Sequence, residues 1–370
     1  MLSRRRCCIN AAVLILLTFL SAVILVWSSS VSTFNVQEPW SSHLLQSKTG
    51  SPAERTVPDP GNVSLPPLSH AVSKSTGTEQ SIKIRELSQN DSHKLSQISE
   101  MLLKRFPHIM IVGFGKAGTK ALYEALKLHP QISGPYKERR FFSQHYSMGL
   151  ENYLRSLPDP PEDGFNSEKS PDYIIVPTAP RRIKIAASVA GISTHRLKFI
   201  VVLRDPIDRA MSEYLEWSIQ RKLLNRPRLP PFEAMVINHV GSVDASQPFL
   251  NASCYAYHIN NWLKYFSNEQ MCYIDGDVFV SDPLKELHLL EECLELEHYF
   301  SNKNFVYDKG KGFYCFQGSN SVNSSVCMNK SKGRKHPNIT KHIVQTLRSY
   351  FQPWNNLIPN LTGRSISWTN

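Results

Sequence analysis

Residues 111–126, IVGFGKAGTKALYEAL, set three glycines, a lysine and a threonine in a short turn between an apolar run and a helical pattern. Gly113, Gly115 and Gly118 let backbone N–H groups turn inward. A helix starting near Thr119 offers unpaired N–H groups and the positive end of its dipole. Lys116 adds a point charge and Thr119 a hydroxyl, so the stretch is equipped to hold a phosphate. It is not the nucleoside-triphosphate loop G-x-x-x-x-G-K-[ST], in which lysine follows the last glycine. Here Lys116 precedes Gly118, and no downstream acidic strand end clearly supplies a magnesium ligand. The competing reading is a tight strand-to-helix turn with an incidental lysine.

A second stretch, LKFIVVLRDPIDRAMSEY, ends an apolar run at Arg204 and carries Ser212 eight residues on, in a helical pattern. An arginine at a strand's carboxyl end, beside a phosphate loop, suits a second phosphate group. A local Arg204–Asp205 ion pair is the plainer alternative. Two phosphate sites on one molecule fit a ligand phosphorylated at two separated positions.

The elements that position these residues follow from hydrophobic period. HIMIVGF (108–114) and LKFIVVL (197–203) are short apolar runs, hence buried strands, and MCYIDGDVFVSDP gives a third strand and turn. TKALYEALKLHP, IDRAMSEYLEWSIQ and DPLKELHLLEECLEL have helical spacing, and HYSMGLENYLRSLP (145–158) reads as a helix with core tyrosines. Strands alternating with helices predict an α/β fold: one domain, a mostly parallel central sheet, helices on its flanks. SHKLSQISEMLLKRF reads as a short helix leading into it.

The N-terminal third is different. Arg4, Arg5 and Arg6 precede an apolar run over residues 9–27, about the length of a membrane span. The basic cluster places residues 1–8 in the cytosol as a tail before a signal anchor. A cleaved signal peptide is the alternative, and its apolar core is usually shorter, ~7–15 residues. Either way the rest of the chain faces the secretory lumen. Residues 28–104 are rich in Ser, Thr, Pro and Gln and read as a flexible stem, leaving 105–370 as the folded domain. Glycosylation sequons stand at Asn62, Asn90, Asn251, Asn323, Asn329, Asn338 and Asn360. Five cysteines lie beyond the membrane run; Cys315 and Cys327 bracket a short polar stretch and read as one loop-closing disulfide, and an odd number leaves at least one thiol unpaired. The net charge of +11 calls for an anionic partner. In the lumen that is an anionic glycan rather than nucleic acid.

The motifs GKAGTKAL, ERRFFS, EKSPDY, LRDPIDRAMSEY, KGFYC and SKGRKHP, in this order, resemble the Golgi heparan sulfate sulfotransferases, above all the glucosaminyl 3-O-sulfotransferases. The sulfotransferase half of the N-deacetylase/N-sulfotransferases is similar too. The resemblance spans about residues 106–368. It implies a lumenal Golgi enzyme, single-pass type II, that moves sulfonate from 3′-phosphoadenylyl sulfate to a glucosamine of heparan sulfate, most readily the 3-OH. The loop Lys116, Ala117, Gly118, Thr119 and Lys120 would cradle the 5′-phosphosulfate, and no metal would be required. Arg204 and Ser212 would take the 3′-phosphate, Tyr314 would pack near the nucleotide, and Lys332, Gly333, Arg334, Lys335 and His336 would close over the phosphates. Glu138 matches the family's catalytic base, Lys116 its leaving-oxygen stabiliser and Lys169 a second lysine at the site.

Beside Glu138 the chain departs from the family. Where the 3-O-sulfotransferases usually read Glu-x-His-Phe-Phe-Asp, this sequence has Arg140 for the histidine and Ser143 for the aspartate. Arg140 cannot exchange protons near neutral pH, and it lowers the basicity of a neighbouring carboxylate. It remains able to orient Glu138 or bind an acceptor sulfate, with Lys137 and Lys169 as further acceptor contacts. The change leaves open N-sulfation, sulfation of another glycosaminoglycan such as chondroitin, and a catalytically weak glycan-binding protein. A length of 370 residues leaves no room for the extra deacetylase domain of the N-sulfotransferases, which favours O-sulfation. Basic clusters at 137–140, 179–185 and 221–231 are candidate glycan contacts or plain solvated faces. Trp217 and Trp262 are candidates for stacking on sugars or, more simply, for core packing.

Overall fold

The chain's computed structural model describes residues 99–317, 327 and 336–369. The expected anchor at 9–27, the stem up to residue 98, Asn62, Asn90, Asn323, Asn329 and the basic turn Lys332, Gly333, Arg334, Lys335 lie outside the described residues. Among the described residues no helix is long and apolar enough to cross a membrane.

Five strands pair in parallel: β1 (Ile109–Gly113), β2 (Ile132–Ser133), β3 (Phe165–Lys169), β4 (Lys198–Leu203) and β5 (Met271–Asp275). Their order is β2-β3-β1-β4-β5, and a separate antiparallel hairpin joins β6 (Phe305–Asp308) to β7 (Phe313–Phe316). The central strand β1 and the edge strand β5 are both buried along their whole length, as a sheet covered on both faces requires. Helices α1 (Thr119–Leu126), α2 (Ala179–Val189), α3 (Pro206–Leu223), α4 (Tyr255–Leu263), α5 (Gly276–Ser281), α6 (Pro283–Leu294) and α7 (Lys341–Asn355) pack around it. Ahead of β1, Glu100–Leu103 form a short helix whose Leu102 joins the core.

Register fixes the functional edge. Ile111 lies opposite both Lys169 and Ile200, and Leu203 lies opposite Asp275. The carboxyl ends of β1, β3, β4 and β5 therefore share one edge. From β1 the chain turns to β2 and β3; from β4 it turns the other way to β5. The crevice where the direction reverses is where open α/β sheets bind ligands.

Strand β3 escapes the apolar signal. β3 is FNSEK, and Asn166, Ser167, Glu168 and Lys169 are all buried. Each polar side chain has a partner: Asn166 Nδ2 donates to the carbonyls of Arg105 (2.9 Å) and Pro158 (2.7 Å), and Ser167 Oγ to that of Ser133 (2.7 Å). The helix expected over 145–158 is broken into a single turn at Tyr146–Met148 and a helix at Leu150–Arg155, because Gly149 takes φ +84° between them. The turn expected after β5 is α5, capped by the Asp275 carboxylate accepting from the N–H groups of Asp277 and Val278, both at 3.1 Å.

Cys315 is bonded to Cys327 and Cys272 to Cys293, while Cys254 is a buried free thiol. Trp262 is fully buried with its indole N–H on the Ile174 carbonyl (3.2 Å), and Trp217 packs edge-on against Phe249. Both serve the core and leave no ring face for a sugar to stack on at Trp262. Asn338 and Asn360 are exposed; Asn251 is half-buried, its carbonyl 3.0 Å from Nε2 of His258.

Candidate active site

The turn after β1 is drawn tight against the sheet. Phe114 N–H donates to the Val202 carbonyl on β4 (3.0 Å) and Ala117 N–H to the Phe114 carbonyl (3.2 Å). Lys116 sits at φ +71° and Gly118 at φ +105°, left-handed geometry that bends the loop backbone inward ahead of α1. A Cβ on Gly115 or Gly118 would meet nothing within 4 Å, so open space lies over the loop. Gly276, at the start of α5, closes the other side: a Cβ there would come within 2.5 Å of the Ala117 carbonyl and 2.7 Å of that of Leu203. Open backbone N–H groups, a helix N-terminus and Lys116 fit a phosphate or phosphosulfate. Thr119 is buried and Lys120 exposed at the first turn of α1.

Arg204 leaves the end of β4 beside this loop, its Nη1 donating to the Lys116 carbonyl (3.3 Å). The alternative, a local Arg204–Asp205 pair, does not occur. Arg204 lies 3.8 Å from Asp208 and 3.6 Å from Asp277, while Asp205 caps α3 and pairs with Arg348 on α7 (2.6 Å). The cap explains the difference: Asp205 accepts from the N–H groups of Ile207 and Asp208, which turns it away from its neighbour. Ser212 is half-buried on α3, two turns beyond the cap. His336 reaches the same helix, with Nδ1 3.2 Å from Asp208 Oδ1. Tyr314 is half-buried on β7, edge-on to Tyr307, and the hairpin is tied to α5 by Phe316 against Phe279.

The second cluster lies one strand over. Lys169 ends β3, and its ammonium bonds Glu138 Oε1. Arg140 Nη2 and Nε donate to Glu138 Oε2 at 2.9 and 3.1 Å. Burial pushes the Glu138 carboxyl up, but the charge and hydrogen bond of Lys169, then those of Arg140, outweigh it and hold the carboxyl below its ordinary range. Glu138 also lines a cavity of about 420 Å³ together with Arg139, His145 and Ser147. Lys137 is exposed beside it.

Beneath this pair is a buried polar layer. Arg140 takes φ +49°, and its N–H donates to Ser170 Oγ (2.9 Å). Ser170 in turn donates to Glu168 Oε1 (2.7 Å), which also accepts from Tyr173 (2.8 Å). Tyr153 bonds the other oxygen of Glu168. Burial drives the Glu168 carboxyl up against these three hydroxyls. Asp172 lies on the other side: its Oδ2 is 2.8 Å from Ser143 Oγ, which is also 3.2 Å from the Arg140 carbonyl. Burial raises the Asp172 carboxyl, with the Arg140 charge opposing it.

Several residues that shape the site carried no function in the sequence. Arg209 is fully buried under the loop, with Nη1 on the Gly115 carbonyl (3.1 Å) and Nε on Ser253 Oγ (2.6 Å). Its pairing with Glu213 at 2.7 Å is a Coulomb contact, since that oxygen is out of line for a hydrogen bond. Arg182, within a basic cluster, instead donates to the Phe142 carbonyl (2.8 Å) and lies over the Tyr146 ring. Nothing in the local pattern separates such arginines from surface ones; only their long-range partners do.

A sulfotransferase domain model matches residues 106–360. The chain is 35% identical over 266 residues to the mouse protein named heparan sulfate glucosamine 3-O-sulfotransferase 6, covering 72% of this chain and 74% of that one. It is 33% identical over 271 residues to human heparan sulfate glucosamine 3-O-sulfotransferase 5, covering 72% and 75%. A crystallised sulfotransferase from Alicyclobacillus acidocaldarius aligns with a TM-score of 0.51 at 20% identity, over 71% of this chain and 98% of that one, a likeness of fold.

Proposed function

The chain belongs to the sulfotransferase-domain family, and from that premise we propose that it transfers sulfonate from 3′-phosphoadenylyl sulfate to a glucosamine hydroxyl of heparan sulfate, the 3-OH. The observation that carries this reading is the placement of an anion-binding loop with Lys116 and a Glu138–Lys169 pair at the carboxyl ends of adjacent strands, β1 and β3. When bound, the donor supplies the sulfonate, and the adenosine bisphosphate leaves as the sulfur–oxygen bond to the acceptor forms. Lys116 neutralises charge on the departing phosphate oxygen. Glu138 takes the acceptor's proton. Lys169 orients Glu138 and keeps it ionised. The loop from Lys116 to Lys120 holds the 5′ group, and Arg204, Ser212, His336 and the Lys332–Lys335 turn hold the 3′-phosphate side. The two lysines supply the positive charge, so this reading assigns no metal; activity undiminished by a chelator is the expected outcome.

Residues 9–27 anchor the protein in the Golgi membrane, the chain from 28 up to the helix at Glu100–Leu103 forms a lumenal stem, and the basic surface near Lys137 and Arg140 meets the sulfated glycan. Labelled donor offered to desulfated, N-sulfated and chondroitin acceptors, followed by disaccharide mapping, tests the assignment. Label on glucosamine O-3 of N-sulfated heparan supports it; label confined to chondroitin or to glucosamine nitrogen replaces it. A second reading has its own observation. Arg140 occupies one oxygen of Glu138, which favours a weakly catalytic heparan-sulfate-binding protein; glycan binding without transfer to any acceptor would establish that instead.

A further inference from the structure

The basic side chains assigned to the donor are already engaged. Lys116 Nζ lies 3.1 Å from Glu216 Oε2, both side chains only 21% and 29% exposed. Arg204 is 3.8 Å and His336 3.2 Å from Asp208. Asp208, Ser212 and Glu216 follow one another at four-residue steps on α3, so they form one stripe along a single helix face. The middle residue of that stripe, Ser212, is the one assigned to the donor's 3′-phosphate, and the two ends are carboxylates.

We propose that Asp208 and Glu216 are internal stand-ins for the donor's two anionic groups: they hold the site's cations while it is empty and must release them when the nucleotide enters. The inference rests on the donor site proposed above and assigns to it a pair of affinity-setting residues. Its physics is an exchange of anions. An ion pair still in contact with solvent contributes little net stability, so it breaks readily. The carboxylate left behind still repels a nearby phosphate through a partly excluded solvent. Donor and bisphosphate product therefore bind less tightly than the same cations would allow, and the product leaves faster. Glu216 is not needed to cap α3, since Asp205 does that.

The test is calorimetric titration of adenosine 3′,5′-bisphosphate into the wild type, Glu216→Gln and Asp208→Asn. Glu269→Gln serves as control, because it removes an equal charge just before β5 begins, at the opposite end of that strand. The dissociation constant should fall by about fivefold in Glu216→Gln, the scale of one lost like-charge contact, and move the same way in Asp208→Asn. The donor KM should fall with it. Glu269→Gln should match the wild type. An unchanged or weaker affinity in Glu216→Gln would overturn the proposal, a weaker one showing that Glu216 positions Lys116 for the donor. Equal tightening in Glu269→Gln would overturn it too, as an effect of overall charge. If the wild type binds no bisphosphate, the donor site itself falls and the inference with it.

Discussion

Arg140 stands against Glu138, and its effect there has a definite sign. With Lys169 it holds the Glu138 carboxyl below its ordinary range. A general base works only when deprotonated, so the acid limb of the pH–rate profile lies below the usual glutamate value of about 4.3. Arg140→Gln removes one of the two charges and should move that limb to higher pH, with kcat rising on the plateau as the carboxylate becomes more basic, while the acceptor KM rises as a glycan contact is lost. A limb that stays in place would show that Arg140 does not act on Glu138. The resemblance located Glu138, Lys116 and Lys169 from local motifs. It could not show that Asp172 stands against Ser143, because that contact joins two segments 29 residues apart.

At the scale of elements, the donor loop is held from below and from the side. Arg209 on α3 ties the Gly115 carbonyl to Ser253 and Phe249. Arg209→Gln strands those buried acceptors and the Glu213 carboxylate, so a loss of about 3 kcal/mol or more is expected in denaturant unfolding. A loss below about 1 kcal/mol would contradict the buttress. Gly276→Ala presses a methyl into two backbone carbonyls that cannot swing aside; bisphosphate binding should weaken at least tenfold, a cost of about 1.4 kcal/mol, while the far-ultraviolet spectrum is kept. The apolar runs of β1, β4 and β5 were legible because a strand buried on both faces excludes polar side chains unless each is paired. β3 was not, since its Asn166 and Ser167 are satisfied by partners distant in sequence and its Glu168 by the hydroxyls of Tyr153, Ser170 and Tyr173. The α5 helix was hidden for a related reason: its start depends on a cap by Asp275 at the end of the preceding strand.

At the scale of the whole molecule, acid sensitivity and charge are the measurable consequences. His258 is buried against Phe114, and burial lowers its pKa from 6.5 to about 4, opposed by its contact with the Asn251 carbonyl. The unfolded chain then binds a proton between about pH 6.5 and 4 that the folded one does not. Stability from this group is full above pH 6.5 and falls as the pH drops, by up to about 3 kcal/mol in all. His258→Gln should flatten the stability slope over that window by up to one proton; an unaltered slope would place the acid sensitivity elsewhere. The net charge of +11 predicts glycan affinity that weakens steadily with salt. The α/β architecture and the edge bearing the site could be read from strand–helix alternation, whereas the pairing of Cys272 with Cys293 could not, because three cysteines offer no unique partner. The central claim is that Glu138 is the base of a sulfonate transfer, and it is tested most directly by Glu138→Gln. With labelled donor and N-sulfated heparan sulfate, the variant should lose transfer by about a hundredfold or more and bind adenosine 3′,5′-bisphosphate as the wild type does. Transfer near the wild-type rate would contradict it.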